Sequence, residues 1–180
     1  MSIRANGSGD YIMTRKFYSA ALAGAALLAV SMGATSANAA SATATATAKI
    51  VTPITITQDT QLNFGTIVPS ASASTVSISV AGARTCGAGL TCSGSPAAGA
   101  FHATGSANEA VTLSLTGTTT TLNGPSSSTM SVSGLALSIS TGSFDGTGNI
   151  NFTTGGTLAV GANQTAGVYN GNYTVNVNYQ

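Results

Sequence analysis

The feature that most constrains this fold is an alternation of apolar with small polar residues, which runs through residues 50–180. Successive side chains of a β-strand point to opposite faces, so a period of two predicts strands with one buried and one solvated face. The alternation is clearest at the end of the chain, where Tyr173, Val175, Val177 and Tyr179 share one parity and Asn or Thr fills the other. The pattern predicts an all-β protein.

Glycines separate the alternating segments, which number roughly eight to nine. Val76–Val80 forms a clean apolar row, and within Met130–Ile139 the apolar parity changes at Gly134, which predicts a bulge or tight turn. The rows Ile150–Phe152 and Leu158–Val160 indicate two further short strands. Turn signals every 8–12 residues or so favour an antiparallel β-sandwich.

Charged residues make up 5% of the 180 residues, against roughly 25% in an ordinary soluble domain. With 5 Lys+Arg the chain lacks the basic cluster that phosphate binding needs, so we expect no nucleic-acid partner. The hydrophobic fraction of 43% disfavours disorder. Residues 40–180 carry two positive and three negative side chains, a net charge of −1, so little self-repulsion opposes association.

The first 39 residues have the organisation of a secretory signal peptide. Arg15 and Lys16 precede an apolar run at Ala20–Val30, and small residues follow up to a predicted cut between Ala39 and Ala40. The apolar run is short for the roughly 20 residues that cross a bilayer, so we expect no stable membrane span after the signal is removed. The prediction is an exported protein that passes through the periplasm to the cell surface or beyond.

Met1–Ile12 is polar for the start of a signal peptide, so Met13 is an alternative start. Residues 40–180 then form one domain, a size that suits a single β-sandwich.

Cys86 and Cys92 are the two cysteines of the chain, and export makes a disulfide between them the expected state. It would close a Gly-rich loop and contribute about 2 kcal/mol in the chain-entropy model. A structural zinc site would need more ligands than these two and His102, and the spacing fits no zinc pattern. We expect no metal and no cofactor.

Other chemistry has weak support in the sequence, so we do not expect an enzyme. His102 is the one histidine and lies in an alternating strand beside Phe101, which favours a structural role. No G-x-S-x-G motif occurs in residues 40–180, and Asp59, Glu109 and Asp145 share no motif for paired-carboxylate catalysis.

Three alternatives to an inert scaffold stay open. The segment from Asp145 to Asn149 is typical of a turn, although a calcium loop would use similar residues together with further oxygen ligands. An isopeptide bond from Lys49 would need an acid partner that the sequence does not identify. Exposed aromatic rings could build a sugar-binding platform, although a core position suits Tyr169, Tyr173 and Tyr179 better.

The C-terminal segment resembles that of chaperone–usher pilins. Those subunits end in an alternating strand with a penultimate tyrosine, matched by Tyr179, and carry a glycine fourteenth from the end, matched by Gly167. Most of residues 40–180 also resembles an uncharacterised family of short secreted bacterial proteins, on the segments Leu62–Gly65, Gly155–Leu158 and Gly167–Tyr173. The spore coat protein U domain has a similar end.

The pilin resemblance implies an immunoglobulin-like sandwich that lacks its last strand, in a protein of a Gram-negative bacterium. A groove would open beside the C-terminal strand, and the residues implied to line it are Gly167, Tyr169, Tyr173, Val175, Val177 and Tyr179. A periplasmic chaperone would lend a strand to this groove, and the N-terminal extension of the next subunit would replace it at an outer-membrane usher. The implied function is a structural subunit of a pilus-like surface fibre, with its own copies as partners.

The candidate donor strand lies at 40–50, where one face carries Ala42, Ala44, Ala46, Ala48 and Ile50. Alternation suits a donor, but alanine side chains fill pockets weakly, since each buried CH₂ contributes about 0.8 kcal/mol. The same residues could instead lead into the first strand. Pilins commonly join two early strands by a disulfide across a long interval, whereas Cys86 and Cys92 are close together. The alternative function is a self-complete secreted β-sandwich that binds a ligand as an adhesin or glycan-binding module, without polymerisation.

Overall fold

The computed structural model of the protein describes residues 39–180, so the signal peptide predicted for the preceding residues lies outside the described part. The chain divides after Ala46 into two units. Residues 39–46, the described part of the first unit, form no helix or strand. Thr47–Gln180 is the second unit and contains every described β-strand.

The second unit consists of twelve strands and one turn of 3₁₀ helix at Pro125–Ser127. The strands are β1 (Thr55–Thr60), β2 (Thr66–Val68), β3 (Ser74–Ile78), β4 (Arg84–Cys86), β5 (Thr91–Ser93), β6 (Gly99–Thr104), β7 (Ala110–Leu115), β8 (Thr120–Asn123), β9 (Thr129–Leu137), β10 (Thr141–Ser143), β11 (Asn149–Val160) and β12 (Val175–Tyr179). All strand pairs are antiparallel.

The long strand β11 organises the main sheet. One edge of β11 pairs first with β6 and then with β3, and its opposite edge pairs with β9. The sheet continues outwards through β1 beside β6, β4 beside β3 and β8 beside β9. A second sheet has the order β10-β7-β12, and β2 pairs with β5 in a separate ribbon.

Two clusters of buried side chains form the core. The first joins β6, β7, β11, β12 and the residue after β10 through Phe101, Ala103, Val111, Leu113, Phe144, Ile150, Phe152 and Val177. The second lies under the ribbon and the far half of β11 and comprises Phe64, Val76, Ile78, Val132, Leu135, Leu158 and Val160. Each such side chain contributes about 1.5–3 kcal/mol when it leaves water, so these rows hold the layers together.

The prediction of an all-β antiparallel sandwich is confirmed. The count of eight to nine strands is too low, because the fold has twelve. Four of the twelve, β2, β4, β5 and β10, are three residues long. A strand of that length shows too little alternation to be separated from its neighbours by pattern.

The prediction of two short strands at 150–160 is wrong, since β11 is continuous through Gly155 and Gly156. These glycines mark close packing, because a β-carbon on Gly155 would lie 2.5 Å from the Ile78 carbonyl oxygen. The predicted bulge at Gly134 is confirmed. Its φ is +59°, and the register of β9 against β11 shifts there, between the pairs Ala136–Gly155 and Ser133–Thr157.

Both terminal strands are shorter than the alternation suggests. The first begins at Thr55 rather than near Ile50, and the last begins at Val175, so residues 165–174 are irregular. Gly167 has a φ of +152°, and the backbone of Asn170 bonds to Asn123 at the end of β8 instead of to β7. The alternating pattern therefore continues past the segment that is hydrogen-bonded as a strand.

Candidate functional site

The last strand, β12, is hydrogen-bonded along one edge. It pairs with β7 in the register Val175–Leu115, Val177–Leu113 and Tyr179–Val111. Among residues 39–180 no strand pairs with its other edge. The N–H and C=O groups along that edge are therefore available to a further strand.

The main sheet has an uncovered core face opposite this edge. Ile56 and Gln58 of β1 pair with Ala103 and Phe101, so all four side chains point to the core face of the sheet. Ala103 and Phe101 are buried, whereas Ile56 is 38% exposed and Gln58 is also exposed. The second sheet ends at β12 and leaves β1 uncovered. We call the space between β1 and β12 the furrow.

An open cavity of about 770 Å³ adjoins the furrow at the Tyr173 end. Its walls are the segments 61–69 and 164–173, and its apolar lining includes Leu62, Phe64, Leu122, Met130, Val132 and Leu158. A polar rim includes Gln58, Gln61, Asn63 and Gln164. The cavity is large enough for several side chains or a small ligand.

Tyr169 fixes the wall formed by residues 164–173. Its hydroxyl donates to the Thr165 carbonyl at 2.7 Å, accepts from the Gln164 amide at 2.8 Å and lies 2.8 Å from the Ser128 hydroxyl. Val168, next to it, is 77% exposed. This wall thus exposes the Val168 side chain to solvent, while the hydrogen bonds of Tyr169 fix the segment around it.

Tyr173 joins the cavity to the core. Its ring stacks edge-on against Phe101 at 6.2 Å, and its hydroxyl lies 2.6 Å from the hydroxyl of the fully buried Thr154. Burial raises the pKa of Tyr173 above its ordinary value of 10.0, against the smaller lowering effect of the Thr154 hydrogen bond. The phenol therefore stays protonated to a higher pH than an exposed tyrosine.

The six residues predicted to line a groove divide between wall and strand. Gly167, Tyr169 and Tyr173 precede β12 and line the cavity. Val175, Val177 and Tyr179 lie in β12 with their side chains against the first core cluster. The candidate donor residues Ala42, Ala44, Ala46, Ala48 and Ile50 lie outside any strand, and Ile50 is 95% exposed. Of the predicted cleavage site, Ala39 and Ala40 are described and form no strand.

Tyr179 makes contacts that the sequence did not suggest. Its hydroxyl donates to the Thr52 carbonyl at 2.6 Å and accepts from the Ser106 N–H at 2.7 Å. Ile56 and Gln58 were also missed as furrow residues. The available signal was Gln58, a polar residue on the same face of β1 as Ile56. No sequence pattern, however, shows which strand is left without a second sheet packed against it.

The predicted disulfide is confirmed, with Cys86 on β4 bonded to Cys92 on β5. It joins the main sheet to the β2-β5 ribbon. The His102 Nδ1 lies 2.8 Å from an Asp59 oxygen on the solvent face of β1 and β6. Among the described residues no three His, Cys, Asp or Glu side chains are placed to share a metal ion.

Asp145 closes a tight turn before β11. One of its oxygens accepts hydrogen bonds from the Asn149 N–H at 2.9 Å, the Thr147 hydroxyl at 2.7 Å and the Thr147 N–H at 2.8 Å. These bonds, with that from Asn149 the largest, lower the pKa of Asp145 below its ordinary value of 3.8. The carboxylate is used within the turn, as the sequence favoured.

The geometry defines an antiparallel β-sandwich whose last strand has one unpaired edge near a cavity of mixed polar and apolar lining. Residues 54–179 match the family described as a domain of unknown function, DUF4402, and the chain belongs to this family. The prediction of an uncharacterised family is thus confirmed. Comparisons with curated proteins and with solved structures gave no match. Within residues 39–180, no helix has the length and apolar character needed to traverse a lipid bilayer.

Proposed function

We propose that this protein is a structural subunit of a pilus-like surface fibre, in which the N-terminal segment of one copy enters the furrow of another. One observation carries the proposal: β12 has no strand on its second edge, and Ile56 and Gln58 on the core face of β1 are exposed. An added strand would bond to β12 and cover that face. Strand addition of this kind takes its strength from backbone hydrogen bonds and its specificity from alternate side chains.

The free edge has no built-in protection. Proteins that remain monomeric block an exposed edge with charge, proline or a bulge, yet Val175–Tyr179 contains none of these. A strand of valine, asparagine and tyrosine with an open edge favours pairing with another chain. A dedicated occupant explains why such an edge is kept.

The segment at 42–50 has the alternation that this occupant needs. Its small side chains suit a narrow space between two β-layers, and Ile50 supplies one larger apolar group for the cavity. We propose export through the periplasm to the cell surface, with a periplasmic chaperone that protects the furrow and an outer-membrane usher that exchanges the strand. These two partners follow from the hazard of an open edge during transit.

A pair of substitutions in the donor segment tests the proposal. Ala46→Asp places a charge on the face that enters the furrow, whereas Thr45→Asp places the same charge on the opposite face. We expect purified Ala46→Asp protein to remain monomeric and Thr45→Asp protein to form multimers that resist SDS without heating. Equal assembly of the two variants would contradict strand exchange through this segment.

The polar rim of the cavity favours a second candidate function, a self-contained module that binds a glycan. Gln58 and Gln61 provide amide groups beside the apolar side chains of the lining, a combination suited to sugar rings. This candidate predicts a protein that refolds as a monomer, and binds oligosaccharides that protect Tyr169 from chemical modification. Binding by Ala46→Asp protein, together with no assembly of the unmodified chain, would favour it.

A further inference from the structure

The base of the N-terminal segment is held at one end of the furrow. The Thr52 N–H donates to the Ser106 hydroxyl at 2.7 Å, and the Thr52 carbonyl accepts from the Tyr179 hydroxyl at 2.6 Å. The Ser106 N–H in turn donates to the same Tyr179 oxygen at 2.7 Å. Both backbone groups of Thr52 are thereby bonded to side chains of the domain.

Two further features fix this contact. Lys49 Nζ lies 2.5 Å from Glu109 Oε1, so the chain three residues before Thr52 is also tied to the loop between β6 and β7. The Tyr179 ring packs edge-on against Phe144 at 5.9 Å. Gly105 is required here, because a β-carbon at that position would lie 2.6 Å from the Tyr179 oxygen. The tyrosine is therefore held by contacts that do not involve Thr52.

The relative direction of β1 and β12 determines how the bond between Thr52 and Tyr179 affects the N-terminal segment. Thr52 is bonded to Tyr179, so the start of β1 lies at the end of β12. At the other end, a β-carbon on Gly99 would meet the Tyr173 hydroxyl, and Gly99 adjoins Ala100, the partner of Thr60. The strands β1 and β12 thus run in opposite directions. To enter its own furrow, the N-terminal segment would have to reverse between Lys49 and Ile54.

The contacts at that position oppose a reversal. A turn would have to break the bonds of Thr52 to Ser106 and Tyr179, and the pair between Lys49 and Glu109. Self-closure therefore competes with contacts that are present in the open form.

We infer that Thr52, Ser106 and Tyr179 form a clamp that keeps the donor segment out of the furrow of its own molecule and leaves it for a second copy. The inference rests on the proposed function. Tyr179 is a positioning residue, because its hydroxyl holds Thr52 at the end of the donor segment. The clamp favours polymers over closed monomers without blocking the furrow itself.

Cross-linking between introduced cysteines distinguishes insertion of the donor segment into its own furrow from insertion into the furrow of a second copy. Thr47→Cys and Asn176→Cys place thiols near the middle of the donor segment and of β12, so a short bismaleimide can join them whichever way the segment runs. Cys86 and Cys92 are disulfide-bonded and do not react with it. Joining within one chain gives a monomer of altered mobility, and joining between chains gives a ladder.

We expect a ladder from the double-cysteine protein. Adding Tyr179→Phe, which removes the hydroxyl and keeps the ring, should raise the ratio of intrachain to interchain product about two- to tenfold, the factor that one net hydrogen bond represents. Ser106→Ala, which removes the acceptor for Thr52, should act in the same direction and serves if Tyr179→Phe fails to fold. The matched control is Ser138→Ala, because Ser138 also accepts a backbone N–H, from Thr153 at 2.9 Å, away from the clamp.

The outcomes separate the clamp from the fibre. A ladder whose ratio stays the same in Tyr179→Phe and Ser106→Ala would overturn the clamp and leave strand exchange supported. A ratio that rises equally in the Ser138→Ala control would also overturn it. The absence of either product in every background would overturn both the proposed function and the clamp, because it would show that the segment does not occupy any furrow.

Discussion

Replacing Ile50 by alanine should weaken assembly while leaving the folded monomer almost unchanged. Ile50 is 95% exposed in the single chain, so it makes few contacts there. Exposed substitutions away from caps and strained backbone usually change the free energy of unfolding by less than about 0.5 kcal/mol. In the proposed fibre the same side chain is buried against the apolar lining of a neighbouring copy.

The size of the effect follows from the three carbon atoms that the substitution removes. At about 0.8 kcal/mol for each buried carbon, the loss is about 2.4 kcal/mol at each junction, or about fiftyfold in the association constant. The cavity of about 770 Å³ admits an isoleucine side chain, so steric exclusion does not offset the gain. The lost affinity should appear as a higher protein concentration for assembly.

Sedimentation across a concentration series measures assembly, and urea unfolding in the Ala46→Asp background measures the monomer alone. Val68→Ala is the matched control, since Val68 on β2 is 56% exposed and, unlike Ile67 and Pro69 beside it, does not line the cavity. The reasoning is refuted if Ile50→Ala assembles at the same concentration as the parent. It is equally refuted if the substitution destabilises the monomer by more than about 1 kcal/mol.

Three other substitutions test the fold and its titrating groups. Gly155→Ala should lower the free energy of unfolding by about 2–3 kcal/mol in urea melts, because its β-carbon meets the Ile78 carbonyl, whereas Gly146→Ala, with open space around it, should be nearly neutral. The raised pKa of Tyr173 means that stability is lost as pH rises above about 10. The urea midpoint of Tyr173→Phe protein should therefore depend less on pH between about pH 9 and pH 11. The lowered pKa of Asp145 gives stability that is present above about pH 4 and lost as pH falls through the folded pKa, so Asp145→Asn should remove part of the acid sensitivity of thermal melts.

The alternation in the sequence was sufficient for the fold class because burial on one face is a local property of each strand. It also located the bulge at Gly134, where the apolar parity changes. It failed at Gly155 and Gly156, which lie between the two predicted short strands although they are inside β11. A glycine demanded by the approach of another backbone has the same sequence signature as one demanded by a turn.

The candidate site was predicted in part. The resemblance to pilins pointed to residues from Gly167 to Tyr179, and these do line the cavity or form the open strand. The opposite border, Ile56 and Gln58, depends on how far the second sheet extends and was not predictable from a local pattern. The bond between Thr52 and Tyr179 joins residues 127 positions apart, a separation over which periodicity carries no information.

The position of β11 determines the order in which the molecule loosens. Residues 154–158 of β11 lie between β6 or β3 on one side and β9 on the other, so their amides should be released to solvent deuterium only by opening of most of the domain. The amides of β12, like those of the other edge strands, have one partner strand, so we expect them to exchange sooner. The slowly and the rapidly exchanging regions of this domain are thus separate, and the rapidly exchanging ones include the edge at which another chain would join.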